Sequence, residues 1–161
     1  ALIKAGEPLT ITDPVMTRFL ITLKESIELV IMALEKGVGG EVFVPKMPAH
    51  TIGDLANVML KQIPKEGINI VKIGIRPGEK IHETLISSAE STRTVELGDY
   101  YIILPQINIP AVEKKYKNMK RLGDFRYGSD TTRRLGKEEL ANIIKIYEQK
   151  HLKNTEYGDY Y

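Results

Sequence analysis

Apolar positions along this chain switch between two spacings, and each switch marks a new element. Leu23, Ile27, Val30, Ile31 and Leu34 recur at three and four residues, which predicts one apolar face of a helix. Thr22-Leu23-Lys24-Glu25 ahead of it is a capping box, in which threonine and glutamate satisfy each other's orphan backbone donors; Gly37 closes the helix. A second helix is predicted from Ile52 to about Ile63, with Thr51 as cap, Asp54 at its third position, and Ile52, Leu55, Met59 and Ile63 inward. Pro64 and Gly67 break it. The last helix is predicted from about Lys137 to Lys150, with Leu135 stapled on Leu140 and Ile143, Ile144 and Tyr147 inward. A short helix is also expected from about Lys80 to Ile86, its face made by Ile81, Leu85 and Ile86.

Alternating or branched runs predict the strands. They are residues 8 to 12, entering a turn at Asp13-Pro14; 15 to 21, with Arg18 in its middle; 41 to 45; and 68 to 75. Residues 93 to 97 and 100 to 104 read as a hairpin around Gly98-Asp99. Pro105 and Pro110 bracket a linker, the basic run Glu113 to Arg121 reads as loop or weak helix, and Gly123 to Thr132 as polar loop. Strands alternating with helices argue for an α/β fold with a small, partly parallel sheet and flanking helices, in a single domain. The tail from about residue 151 is expected to be disordered.

Composition narrows the classes. With 161 residues, 42% hydrophobic and 27% charged, the chain can bury one core. It has no apolar run long enough for a membrane span and no secretory leader. It has no cysteine, which removes disulfides and thiolate metal sites and fits a cytoplasmic protein. A net charge of +2 gives no global field toward nucleic acid, so the basic run and Arg133-Arg134 are read as solvated surface. The chain opens on Ala1 in mid-pattern, as a portion of a longer protein would.

Candidate chemistry is sparse. His50, His82 and His151 lack ligand-spaced partners, so no metal is expected. Tyr116 and Lys120 have the spacing of a phenol and ammonium one helical turn apart, but no glycine fingerprint precedes them, and they are rejected as a catalytic dyad. Glu79 and Glu83 read as solvated like charges rather than a carboxylate pair. One turn stands out. Pro77 and Gly78 bend the chain so that Arg76 and Glu79 leave the same turn, a guanidinium suited to phosphate and a carboxylate suited to sugar hydroxyls. A charged surface turn is the alternative.

Six phrases in order resemble the C-terminal part of the extended short-chain dehydrogenase/reductase family, nearest to its inverting UDP-N-acetylglucosamine 4,6-dehydratases. They are Pro-Leu-Thr-Ile-Thr-Asp (8 to 13), Met-Thr-Arg-Phe (16 to 19), Gly-Gly-Glu-Val-Phe-Val-Pro-Lys (39 to 46), Gly-Ile-Arg-Pro-Gly-Glu-Lys-Ile-His-Glu (74 to 83), Asp-Tyr-Tyr-Ile-Ile-Leu-Pro (99 to 105) and Tyr-Gly-Ser-Asp-Thr (127 to 131). The resemblance implies a substrate-binding half, spanning 1 to 161 and inactive alone, whose Rossmann partner half is missing. Arg18 and Arg76 then look like ligands of a UDP-sugar pyrophosphate, Glu79 like the ribose-hydroxyl acceptor and Thr17 like a neighbouring polar contact. NADP would be held mainly by the absent N-terminal half, with none bound by this chain, and any homo-oligomer would form through that half. A C4-epimerase of the same family and a stand-alone nucleotide-sugar module are the alternatives. The products would serve surface polysaccharide or capsule.

Overall fold

The computed structural model describes residues 5–62 and 67–154. Internal contacts group them into two compact units interleaved along the chain. The first comprises Ala1–Arg18, His50–Ile81 and Arg134–Tyr161, and the second Phe19–Ala49 and His82–Arg133. Strands β2 (Thr17–Phe19) and β4 (Ala49–Thr51) carry the chain from one unit to the other.

In the first unit, β1 (Leu9–Ile11) pairs in parallel with β5 (Ile70–Lys72), Leu9 opposite Ile70 and Ile11 opposite Lys72. Helix α2 (Ile52–Gln62) starts where expected: Thr51 Oγ1 accepts the Asp54 N–H at 2.9 Å and donates to the Asp54 carboxylate at 2.7 Å. Its most buried residues are Ala56 and Val58, while Ile52, Leu55 and Met59 of the expected inner face are half-buried; Ile63 lies outside the described residues. Helix α5 (Lys137–Asn154) packs beside it, with Leu140 and Leu135 buried as the staple requires. Ile143 and Ile144 are half-buried, but Tyr147 is exposed rather than inward. The helix runs past residue 151, and the tail expectation beyond Asn154 falls outside the described residues.

The second unit is built on a three-stranded antiparallel sheet in the order β3 (Val42–Pro45), β8 (Tyr100–Ile103), β7 (Thr94–Leu97). Strand β8 is central, and side chains alternate across a strand, so its two faces feed two separate clusters. Ile102 enters one with Val95, Leu104, Val112 and Tyr116, while Ile103 enters the other with Val44, Ile86 and Tyr127. The basic run has more structure than expected: Pro110–Tyr116 is helix α4, because Pro110 at its start presets the backbone and Val112 and Tyr116 are buried on one face. Tyr116 donates to Glu41 Oε1 at 3.1 Å, and burial, then this bond, pushes its phenol above the ordinary tyrosine range. A core phenol so tied is no member of a catalytic dyad.

Two elements depart from the pattern of apolar spacing. The segment from Lys80 to Ile86 is not a helix; Thr84–Ile86 forms β6, paired antiparallel with β9 (Tyr127–Gly128), a strand inside the stretch expected to be loop. Ile86 is fully buried while Thr84, Leu85 and Ile81 are exposed, and pairing with a partner forty residues on, with an irregular register between Thr84 and Ile86, selects the extended form over the helical spacing. Directly after it, Ser87 and Glu90 form a capping box over the short helix α3 (Ser88–Ser91). That Ser-x-x-Glu signal stands in the sequence, at the start of a helix too short for apolar spacing to predict. The other departure concerns α1 (Leu23–Lys36). Its Thr22–Glu25 capping box forms as predicted, yet no residue of the helix is buried, and Leu23, Val30 and Leu34 are 75%, 58% and 79% exposed.

Candidate functional site

All four sequence-predicted site residues belong to the first unit, and hydrogen bonds bring them together. The β1–β5 ladder continues past its named strands, with Ile73 N–H donating to Ile11 O at 2.8 Å and Gly74 N–H to Thr12 O at 3.1 Å. This delivers the chain to the turn. There Glu79 N–H donates to Arg76 O at 3.1 Å, and the Glu79 carboxylate accepts Arg76 N–H at 3.0 Å, so the two residues lock each other across Pro77-Gly78. Gly78 has φ +86°, a left-handed geometry that a side chain would strain.

The far end of the loop is pinned as well. Thr17 N–H donates to Ile81 O at 2.9 Å, and Arg18 Nη1 donates to Thr17 O at 2.7 Å and to Ile81 O at 3.3 Å. Residues 73–81 are therefore tied at both ends to residues 11–18, with Arg18 half-buried at one end and Arg76 and Glu79 exposed on the turn. Thr17 is only 1% exposed, so its part is to seat the strand that carries Arg18. The start of α2 braces this segment from behind, through Ile52 N–H to Met16 O at 2.8 Å and Gly53 N–H to Pro14 O at 3.0 Å.

Asp13 stands at the base of the loop, buried, with one carboxylate oxygen 2.5 Å from the Lys72 ammonium and the other accepting Val15 N–H at 3.0 Å. The hydrogen bond from Lys72, then that from Val15, holds the Asp13 carboxyl below its ordinary value. Because the folded value lies under the unfolded one, the stabilisation is complete above the unfolded pKa and is lost as pH falls through the folded value. Asp13→Asn is accordingly expected to flatten the acid limb of stability below about pH 4. Denaturant midpoints of the two proteins across the acid range check it, and parallel acid limbs would sink the assignment.

Other sequence candidates fall elsewhere. His82 and Glu83 lie in the second unit, where Glu83 N–H donates to Ser129 Oγ at 2.9 Å and Ser129 N–H returns to Glu83 O at 2.8 Å. With no helix in this stretch, Glu79 and Glu83 do not share a helical face. Gly39 and Gly40 have φ of +111° and +90° and lead into β3, not into a helix, so they form no phosphate-cradling loop. Among the described residues no cluster of histidine and carboxylate side chains could hold a metal ion, and no helix is long and apolar enough to cross a membrane.

The family model described as "Polysaccharide biosynthesis protein" matches residues 1–105. The chain belongs to this family. Relatives of this polysaccharide biosynthesis chain include proteins named UDP-glucose 4-epimerase from Rickettsia canadensis, 43% identical, and Rickettsia rickettsii, 42% identical; in each case the match covers 95% of this chain and 46% of the relative. Among solved structures, "X-ray structure of Pen from Bacillus thuringiensis" superposes with TM-score 0.77 at 37% identity, covering 90% of this chain and 42% of that one. The chain thus spans about half the length of the proteins it matches. The extended short-chain dehydrogenase/reductase fold expected from the six phrases is supported, whereas the relatives carry the epimerase name rather than that of a dehydratase.

Proposed function

We propose that this chain is the nucleotide-sugar-binding, C-terminal portion of a UDP-sugar C4-epimerase that serves polysaccharide biosynthesis. The observation that carries this is the pinned loop: Arg18 and Arg76, far apart in sequence, stand on two segments joined by the Thr17–Ile81 hydrogen bond. Arg76 on the exposed turn and Arg18 at its far end supply guanidinium forks for the two phosphates of a UDP-sugar, whose oxygens match the planar donor geometry. Glu79, its position set by the Arg76 backbone, accepts a ribose hydroxyl. Thr17 positions the strand.

NADP and the hydride chemistry it would supply are assigned to a second, Rossmann half, as the resemblance of the six phrases to the extended short-chain dehydrogenase/reductase family implies. This chain's part is to hold the nucleotide so that the sugar faces that half. The exposed apolar face of α1 supports this reading, since an amphipathic helix with an uncovered stripe calls for further protein to pack on it.

A second reading, UDP-N-acetylglucosamine 4,6-dehydratase, rests on the six phrases, Gly-Ile-Arg-Pro-Gly-Glu-Lys-Ile-His-Glu above all. Product analysis separates the two. An enzyme carrying this chain and the cofactor half, given UDP-glucose and then UDP-N-acetylglucosamine, is expected to accumulate the C4 epimer. A 4-keto-6-deoxy product would transfer the assignment to the dehydratase, and inertness toward both sugars would sink each.

A further inference from the structure

On the reading of the pinned loop as a diphosphate clamp, we infer that Asp13, bridged to Lys72, is its positioning residue. The Asp13 carboxylate acts through the two backbone segments that carry Arg18 and Arg76, and it sets the spacing between those arginines.

The two arginines leave segments that are fastened to each other at two points. Thr12 O accepts Gly74 N–H at one, and Ile81 O accepts Thr17 N–H at the other. On the Arg18 side only residues 13 to 16 separate these points, so the shape of that short run decides where Thr17 and Arg18 fall relative to the turn. Asp13 closes the run. One of its carboxylate oxygens, Oδ1, accepts Val15 N–H at 3.0 Å, the two-residue reach of an Asx turn, and its carbonyl accepts Met16 N–H at 3.3 Å. The other, Oδ2, lies 2.5 Å from Lys72 Nζ, two residues before the chain leaves the ladder at Gly74, where φ is +86°. One side chain therefore couples the run that carries Arg18 to the strand that delivers Arg76.

Helix α2 gives this coupling a firm base. Pro14 O accepts Gly53 N–H and Met16 O accepts Ile52 N–H, and the approach is so close that a Cβ on Gly53 would lie 3.0 Å from both Pro14 Cβ and Pro14 O. The ammonium end of the bridge is solvated, since the Lys72 side chain is 57% exposed against 12% for that of Asp13. Solvent screens such a cation, so losing it costs little folding stability. A buried carboxylate, by contrast, is costlier than an apolar side chain in its place, and what a paired one supplies is register between the segments it joins.

The test is a double-mutant cycle on UDP affinity, measured by calorimetry in an enzyme that joins this chain to the cofactor half. Lys72→Met removes the ammonium, keeps an apolar stem and leaves the Asp13–Val15 bond in place. It is expected to weaken UDP binding about fivefold with Arg76 present and less than about twofold in the Arg76→Ala background, because a positioning residue acts through the arginine it places. Lys72→Arg keeps the charge beside Asp13 and is expected to retain most of the affinity. Asp13→Asn keeps an oxygen for Val15 N–H, loses the charge, and is expected to repeat the Lys72→Met pattern. Unchanged affinity in both Lys72→Met and Asp13→Asn overturns the inference. So does an equal loss with and without Arg76, which would make the pair general support for the fold. The clamp is read separately: a loss in Arg76→Ala without one in Lys72→Met removes only the positioning role, whereas unaltered binding in Arg76→Ala removes the clamp and the positioning role with it.

Discussion

Ile102→Ala is expected to cost about 2–5 kcal/mol of folding stability. The residue has no exposed surface and sits on the central strand, opposite Phe43 on one neighbour and Val95 on the other. Its truncation removes three carbons from an apolar cluster, so the transfer loss and the cavity left behind add. Whether the void can collapse decides where in the range the cost falls. Tyr116, which shares the cluster, is anchored to Glu41 through its hydroxyl and cannot swing inward, while Phe43 and Met119 are half-buried and retain some freedom. The upper half of the range is therefore expected. Urea unfolding of the two proteins measures it, and a loss below about 1 kcal/mol would mean that β8 is not the core of its unit.

Arg76→Ala, in an enzyme that joins this chain to the cofactor half, is expected to weaken UDP binding by about ten- to a hundredfold, at about 1.4 kcal/mol per tenfold. One charge-assisted contact to a phosphate contributes about 1.5–3 kcal/mol, which sets that interval. The substitution is a clean one. Arg76 is exposed, and the turn closes through its backbone N–H and carbonyl, which alanine keeps, so folding should be unaffected. Arg76→Lys should recover only part of the affinity, because an ammonium keeps the charge and loses the bidentate fork. Calorimetry with UDP checks both variants. Unchanged affinity in Arg76→Ala would remove this residue from the clamp and return the turn to ordinary charged surface.

The two predictions differ in how legible their residues are. Arg76 and Glu79 are readable from four consecutive residues, since Pro77-Gly78 dictates the bend and the spacing dictates which side chains leave it. Arg18 is a candidate through its phrase, but its approach to Ile81 spans 63 residues, and no local pattern encodes that distance. The tilted ring pair of Tyr101 and Phe125 in the second unit, with Lys46 over the Tyr101 ring, lies still further from any such reading. Lys46, Tyr101 and Phe125 come from three segments, and each alone looks like an ordinary strand or loop residue.

What the sequence determined by itself is the local chemistry that closes within a few residues. The capping box at Thr22–Glu25, the Thr51 cap on the Asp54 N–H, the Gly98-Asp99 hairpin and the Arg76–Glu79 turn all form as read, because donor and acceptor sit three or four positions apart. Tertiary structure decided whatever depended on a distant partner. Ile81, Leu85 and Ile86 fit a helical spacing, but Tyr127–Gly128 offered a strand ladder, and burial of Ile86 against Tyr127 selected the extended form. Likewise an apolar stripe on α1 specifies a face without naming what covers it: the hydrophobic effect is non-directional, and only the folded chain reveals which apolar surfaces meet.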